Sequence, residues 1–124
     1  MKTILKIIVV LLLFSFSIDK TIVTATIYHA DPSQCNADFL TTASMKKIDS
    51  LSPEKHRWIA VSRDLEKLGF VFGTKVKVSN AGAMNGVWTV EDRMSKRWNK
   101  RIDFLVNKKK KYGKWTEVEL KIIK

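Results

Sequence analysis

Two aspartates, Asp92 and Asp103, lie in the stretch VEDRMSKRWNKRIDF (Val90–Phe104), each closing an apolar run. Between them stand Arg93, Lys96, Arg97, Lys100 and Arg101, with Trp98 at the centre of the loop. Such acids can be a catalytic pair, the floor of a sugar-binding groove, or turn residues that cap strand ends and pair with the intervening arginines. A single carboxyl cleaves a glycan without water by acting twice. As an acid it protonates the glycosidic oxygen; as a base it takes the proton of a sugar hydroxyl that closes onto the anomeric carbon. That work needs a carboxyl still protonated near neutral pH, raised well above about 4 by burial or a neighbouring like charge. Arg93, Arg97 or Arg101 aimed at either aspartate would instead lower its pKa by about 1–3 units and disable it as an acid.

Other residue types offer less. His29 and His56 are far apart, Cys35 is the single cysteine, and no HxxxH, CxxC or HExxH spacing occurs. Neither a metal site nor a cofactor is therefore expected. A Cys–His nucleophilic pair stays open but has no local signature. Ser62, Ser79 and Ser95 stand in no GxSxG context. The five glycines are spaced as turn residues, with no phosphate-cradling cluster among them.

The elements that must position the two aspartates read as short strands. Thr21–His29, Arg57–Ser62, Thr74–Asn80, Val87–Glu91, Arg101–Val106 and Trp115–Ile122 are rich in branched and aromatic residues and bounded by turn residues. In Thr74–Asn80 the alternation puts Val76 and Val78 inward and Lys75 and Lys77 outward. In the last strand Thr116, Val118, Leu120 and Ile122 share one face, and Glu117, Glu119 and Lys121 the other. Ser52-Pro53-Glu54 predicts a helical turn with proline at its first position. Asp64–Gly69 predicts one helical turn closed by glycine. Trp58, Trp88 and Trp115 lie on strands and are expected to pack; Trp98 is either a sugar platform or a lid. Six short strands in so small a chain predict an all-β barrel or sandwich with one or two helical turns.

At 124 residues and a formal charge of +11, the chain has room for one domain. Lys2 and Lys6 precede an apolar run from Ile7 to about Phe16, the layout of a secretory signal. Ser15-Phe16-Ser17 supplies small residues for cleavage, with Ala25 a second choice. The boundaries expected are a signal over 1–17 and a domain over 18–124. Removing Lys2 and Lys6 lowers the charge from +11 to +9. Cys35 lies too far from the apolar run to carry a lipid anchor there, and one cysteine cannot form an internal disulfide. A basic exported domain is drawn to anionic polymers, which outside the cytoplasm are wall glycans, teichoic phosphates and acidic polysaccharides rather than nucleic acid. Its lysines also simply keep it soluble. The expected product is a secreted or periplasmic monomer without a stable membrane anchor.

The order ATIY, TTAS, WIAVS, FGTKVKV, GVWTVED and RIDF resembles the three-aspartate (3D) domain family, related to rare-lipoprotein-A-like and expansin-like domains. The resemblance runs from Thr24 to about Ile123 and rests most on the interval from Asp92 to Asp103. It implies a six-stranded double-psi β-barrel that engages peptidoglycan or another anionic cell-wall polysaccharide. It implies a catalytic role for Asp103 with Asp92 beside it, as in lytic transglycosylases. It also places Thr26 and Tyr28 of the first strand in the groove. Arg93, Arg97, Arg101 and Trp98 complete the expected grip on the polymer. Where the family has its first aspartate this chain has Ser62, with Asp64 two places later. Where transglycosylases carry glycines after the next acid, it has Arg93-Met94-Ser95. The second domain that walls a transglycosylase groove has no counterpart here. Three functions remain in view: a glycan-binding or loosening module, a glycan-cleaving enzyme using Asp103, and a protein-binding scaffold without glycan activity.

Overall fold

The computed structural model describes residues 20–32 and 38–124. The leader expected over residues 1–17, its cleavage point at Ser17 and Cys35 lie outside the described residues. The described residues form six strands: β1 (Thr21–Tyr28), β2 (Trp58–Val61), β3 (Lys75–Ser79), β4 (Gly86–Arg93), β5 (Arg101–Leu105) and β6 (Lys114–Ile122). They close into a barrel in the order β1-β5-β2-β4-β3-β6, so no strand edge is left open. The β1–β5 and β2–β4 pairs are parallel and the other four antiparallel. A short helix α1 (Arg63–Glu66) follows β2, and 3-10 turns form at Pro53–His56 and Gly82–Met84. Gly69 closes the α1 turn at φ +104, a left-handed conformation that favours glycine. No described helix is long and apolar enough to cross a membrane.

Alternation drives the closure. Val76 and Val78 are buried while Lys75 and Lys77 are exposed. Val23 and Ala25 of β1, Ile59 and Val61 of β2, and Val118 and Leu120 of β6 fill the same interior. At its centre Phe104 lies between Trp88, at 4.7 Å between ring centroids, and Trp115, at 5.7 Å edge-on. The Trp88 indole N–H donates to the Met84 carbonyl at 2.8 Å, and the Arg57 guanidinium lies 4.0 Å over its ring. Leu105 faces outward from the barrel but is covered by Ala30 and Ile48, a second small cluster. Trp58 stacks on His56 at 4.0 Å, a packing role in keeping with its place on a strand.

Two expectations need correction. The face assigned to β6 breaks at its start: Thr116 is exposed, and Trp115 packs on the core instead. The cause is a bulge. Between Val23 and Ala25 of β1, β6 advances from Val118 to Trp115, one residue more than its partner. Glu117 absorbs the extra residue at φ +56, and the side chain of Asn80 donates to its carbonyl at 2.8 Å. The second concerns Asp92, expected just past the end of the strand Val87–Glu91. β4 runs on to Arg93, so Asp92 lies within a strand, as Asp103 does in β5.

Candidate functional site

Strand pairing sets the acids in one row. Asp103 of β5 is opposite Thr26 of β1 on one side and Ala60 of β2 on the other, and Ala60 is opposite Asp92 of β4. A bulge on β4 makes that row. Ile59 pairs with Val90, but Ala60 pairs with Asp92, so Glu91 is the extra residue. Without it the side chain opposite Ala60 would be that of Glu91. The two aspartates are two strand spacings apart, about 10 Å between Cα atoms. Ala60, the smallest side chain that keeps a Cβ, leaves the space between them open.

That space is the floor of a cleft of about 800 Å³, lined by Tyr28, Ala60, Asp92, Arg97, Trp98 and Asp103 among others. The first strand supplies a hydroxyl to each acid. Thr26 Oγ1 donates to Asp103 Oδ1, and the Tyr28 hydroxyl donates to Asp92 Oδ2 at 3.0 Å. The backbone N–H groups of Ala43 and Arg93 donate to Asp92 Oδ1 at 3.0 and 2.9 Å. Asp92 is thus oriented by three donors, whereas the Thr26 hydroxyl is the single hydrogen bond to the Asp103 carboxyl among the described residues.

Burial pushes the Asp103 carboxyl above its ordinary range. The Thr26 hydrogen bond and the Arg101 charge pull it down, Asp92 adds a smaller push upward, and burial prevails. Repulsion from Asp92, one of the two causes anticipated from the sequence, is therefore the lesser one. The sign for stability follows. Because the folded protein holds this proton more tightly than the unfolded chain, the stability Asp103 contributes is complete below the ordinary aspartate range. It is lost as pH rises through the raised folded value. Asp103→Asn, which cannot ionise, is expected to melt at a higher temperature than the native protein at pH 7. Thermal melts across pH check this, and the gain should shrink as the pH is lowered.

The basic loop is arranged differently from a simple grip. Arg93 lines the cleft, but its guanidinium binds both carboxyl oxygens of Glu66 and lies 5.0 Å over the Phe72 ring. This guanidinium is thus already paired within the protein. Arg97 and Arg101 stand over Trp98 at 4.7 and 4.1 Å from its ring centre. Trp98 is half-buried at the cleft wall, so its ring organises these cations as well as facing the groove. Arg101 does not line the cleft; it acts on Asp103 through its charge. Arg63, which the sequence did not single out, does line it.

The other wall was also not legible beforehand. Phe39, Thr41, Thr42, Ala43 and Ile48 line the cleft from a loop folded over β4. Thr42 Oγ1 accepts from the Lys46 N–H at 3.1 Å, and Met45 turns the tip at φ +71. The Ser44 N–H donates to the Glu91 carbonyl at 3.2 Å. Glu91, whose side chain is 3% exposed, pairs with Lys46 at 2.9 Å. The bulge that aims Asp92 therefore also anchors this loop. Lys46→Met leaves the Glu91 carboxylate without that partner and is expected to cost on the order of 1 kcal/mol, since the lysine end is solvent-screened. Chemical denaturation measures it, and Glu91→Gln should cost less. The TTAS string was the one available signal, and it does not by itself reveal that its backbone reaches Asp92.

Asp64 is not among the cleft residues. Its burial is outweighed by hydrogen bonds from Ser62 and from the Lys100 N–H, which hold its carboxyl below the ordinary range. It fastens the end of the basic loop at 2.9 Å to Lys100 N. His56 Nε2 accepts from the Asp49 N–H at 2.9 Å, and His29 Nε2 lies 2.7 Å from the Lys110 carbonyl. Among the described residues no three His, Cys, Asp or Glu side chains are grouped to hold a metal. No family model, curated protein or solved structure matches the chain.

Proposed function

We propose that this chain is an exported cell-wall polysaccharide-engaging domain whose barrel cleft binds or remodels glycan strands, peptidoglycan first among them. The observation that carries the reading is the row Thr26–Asp103–Ala60–Asp92, with each acid met by a first-strand hydroxyl at the floor of an open cleft. A glycan offers many hydroxyls, and such a floor presents carboxyl oxygens to accept from them while Arg97 and Arg63 meet anionic substituents along the rim. The resemblance to three-aspartate domains anticipated Thr26, Tyr28, Asp92 and Asp103 as one groove. A closed six-stranded barrel with two parallel pairs also supports the double-psi type. Ala25 is fully buried in β1, which favours leader cleavage at Ser17 over cleavage at Ala25.

One observation favours a second, catalytic reading. Asp103 is the carboxyl biased toward its protonated form, as a general acid must be. In that reading Asp103 gives its proton to the glycosidic oxygen, then accepts the proton of the muramic 6-hydroxyl as that oxygen closes on the anomeric carbon. The product is a 1,6-anhydro sugar, and no water is consumed. Incubation with isolated peptidoglycan sacculi separates the readings. Co-sedimentation without soluble products supports the binding module. Release of 1,6-anhydro-muropeptides that requires Asp103 supports the enzyme. A protein that stays in the supernatant at physiological salt and releases nothing sinks both.

A further inference from the structure

The outer surface of β3 and β6 belongs to the half of the barrel that contributes no residue to the cleft lining. Pairing register fixes what this surface displays. Lys75 lies opposite Thr89 of β4, and Lys77 lies between Val87 of β4 and Lys121 of β6. Val76 and Val78, between the lysines, point into the core. Ile123 continues the surface beside Lys75, to whose carbonyl its N–H donates at 2.9 Å. Val87 is 46% exposed and Ile123 42%.

This arrangement is costly for an isolated barrel. Lys77 and Lys121 are directly opposed on one face, a like-charge pair that destabilises a sheet by a few tenths of a kcal/mol, where an acid would stabilise it. Among the described residues no acid pairs with Lys75, Lys77 or Lys121. The neighbouring acid, Glu119, is engaged at 3.5 Å by Lys20. Unpaired lysines interleaved with exposed aliphatic side chains suit a surface that offers both anionic groups and hydrocarbon. A soluble polyanion would gain nothing from Val87 or Ile123. Lys20 adds a second argument, because it is attached to this same wall through Glu119. The pair neutralises the acid on β6 nearest Lys121, so that acid does not oppose an anionic surface.

We infer that the Lys75–Lys77–Lys121 wall, with Val87 and Ile123, docks peripherally on an anionic phospholipid bilayer. Docking there leaves the cleft, which takes no residue from β3 or β6, free to meet glycan. The attraction is about fivefold in affinity per lysine near such a surface and is weakened by salt.

The test is flotation of the full chain with vesicles of phosphatidylcholine alone and of an equal mixture with phosphatidylglycerol. Insertion of the apolar leader is common to all variants and does not depend on these lysines, so the readout is the excess binding to the mixed vesicles. Native protein is expected to prefer the mixed vesicles, and Lys75→Ala/Lys77→Ala/Lys121→Ala to lose about a hundredfold of that preference. Lys121→Ala alone should lose about fivefold, with a melting temperature equal to or above native, because the opposed pair is gone. Equal native binding to both vesicles, or a triple variant that binds the mixed vesicles as the native protein does, overturns the inference. So does capture of poly(glycerol phosphate) by the same lysines in place of the vesicles.

Discussion

Asp103→Asn is expected to lose at least about tenfold in affinity for peptidoglycan sacculi while remaining folded, and to release no soluble product. Asparagine keeps the shape of the side chain, and its amide oxygen still accepts from Thr26 Oγ1. What it then presents to the cleft is an NH₂ group, a donor where glycan hydroxyls and the glycosidic oxygen require an acceptor or a transferable proton. Losing a hydrogen bond to an ionisable partner inside a cleft costs about 1.5–3 kcal/mol, which is tenfold or more. Co-sedimentation titrations measure the binding and mass spectrometry the products. Asp92→Asn should also weaken binding, with an added structural cost, because Asp92 accepts from Tyr28, Ala43 and Arg93 and ties the cleft-wall loop to β4. A protein-binding scaffold without a glycan site would tolerate both changes.

Phe104→Ala is expected to have the largest effect on stability, about 3–5 kcal/mol. Phe104 is fully buried, pairs in register with Ile27 and Ile59, and is held between the rings of Trp88 and Trp115. The closed barrel hydrogen-bonds the backbone on both sides of β5, so the wall cannot collapse into the space a phenyl ring leaves. A domain of this size has a total stability of about 5–15 kcal/mol, so the variant sits near its unfolding threshold. Urea unfolding gives the number, and a loss under about 1 kcal/mol would mean that the core packs differently. Phe104 adjoins Asp103 in sequence but points to the opposite side of β5. Its loss should therefore act on folding, and the folded fraction should keep its glycan affinity.

The strands were legible because alternation is a local signal. Lys75-Val76-Lys77-Val78 reads correctly from four residues, and so does the turn that Gly69 closes. The bulges were not legible, because each depends on how two distant strands meet. One near Glu117 turns Trp115 into the core, and one at Glu91 brings Asp92 level with Asp103. At the site, one groove for Thr26, Tyr28, Asp92 and Asp103 was implied by the family resemblance, and the register sets Thr26, Asp103, Ala60 and Asp92 in one row. The Arg93 pairing with Glu66 escaped the sequence because the two are 27 residues apart on different elements. The loop from Asp38 to Ile48 escaped it too. It is irregular backbone without periodicity, held by contacts to Glu91 and Asp92 that exist only once β4 is in place.

The claim on which the functional account rests is that glycan enters the cleft over the Asp92–Asp103 row. Backbone amide NMR during titration with soluble, peptide-free glycan fragments tests it most directly. Shift changes concentrated at Tyr28, Ala43, Arg93, Trp98 and Asp103, and abolished in Asp103→Asn, are the predicted result. Saturating shifts confined to other parts of the barrel, or no shifts at any fragment concentration, would contradict it.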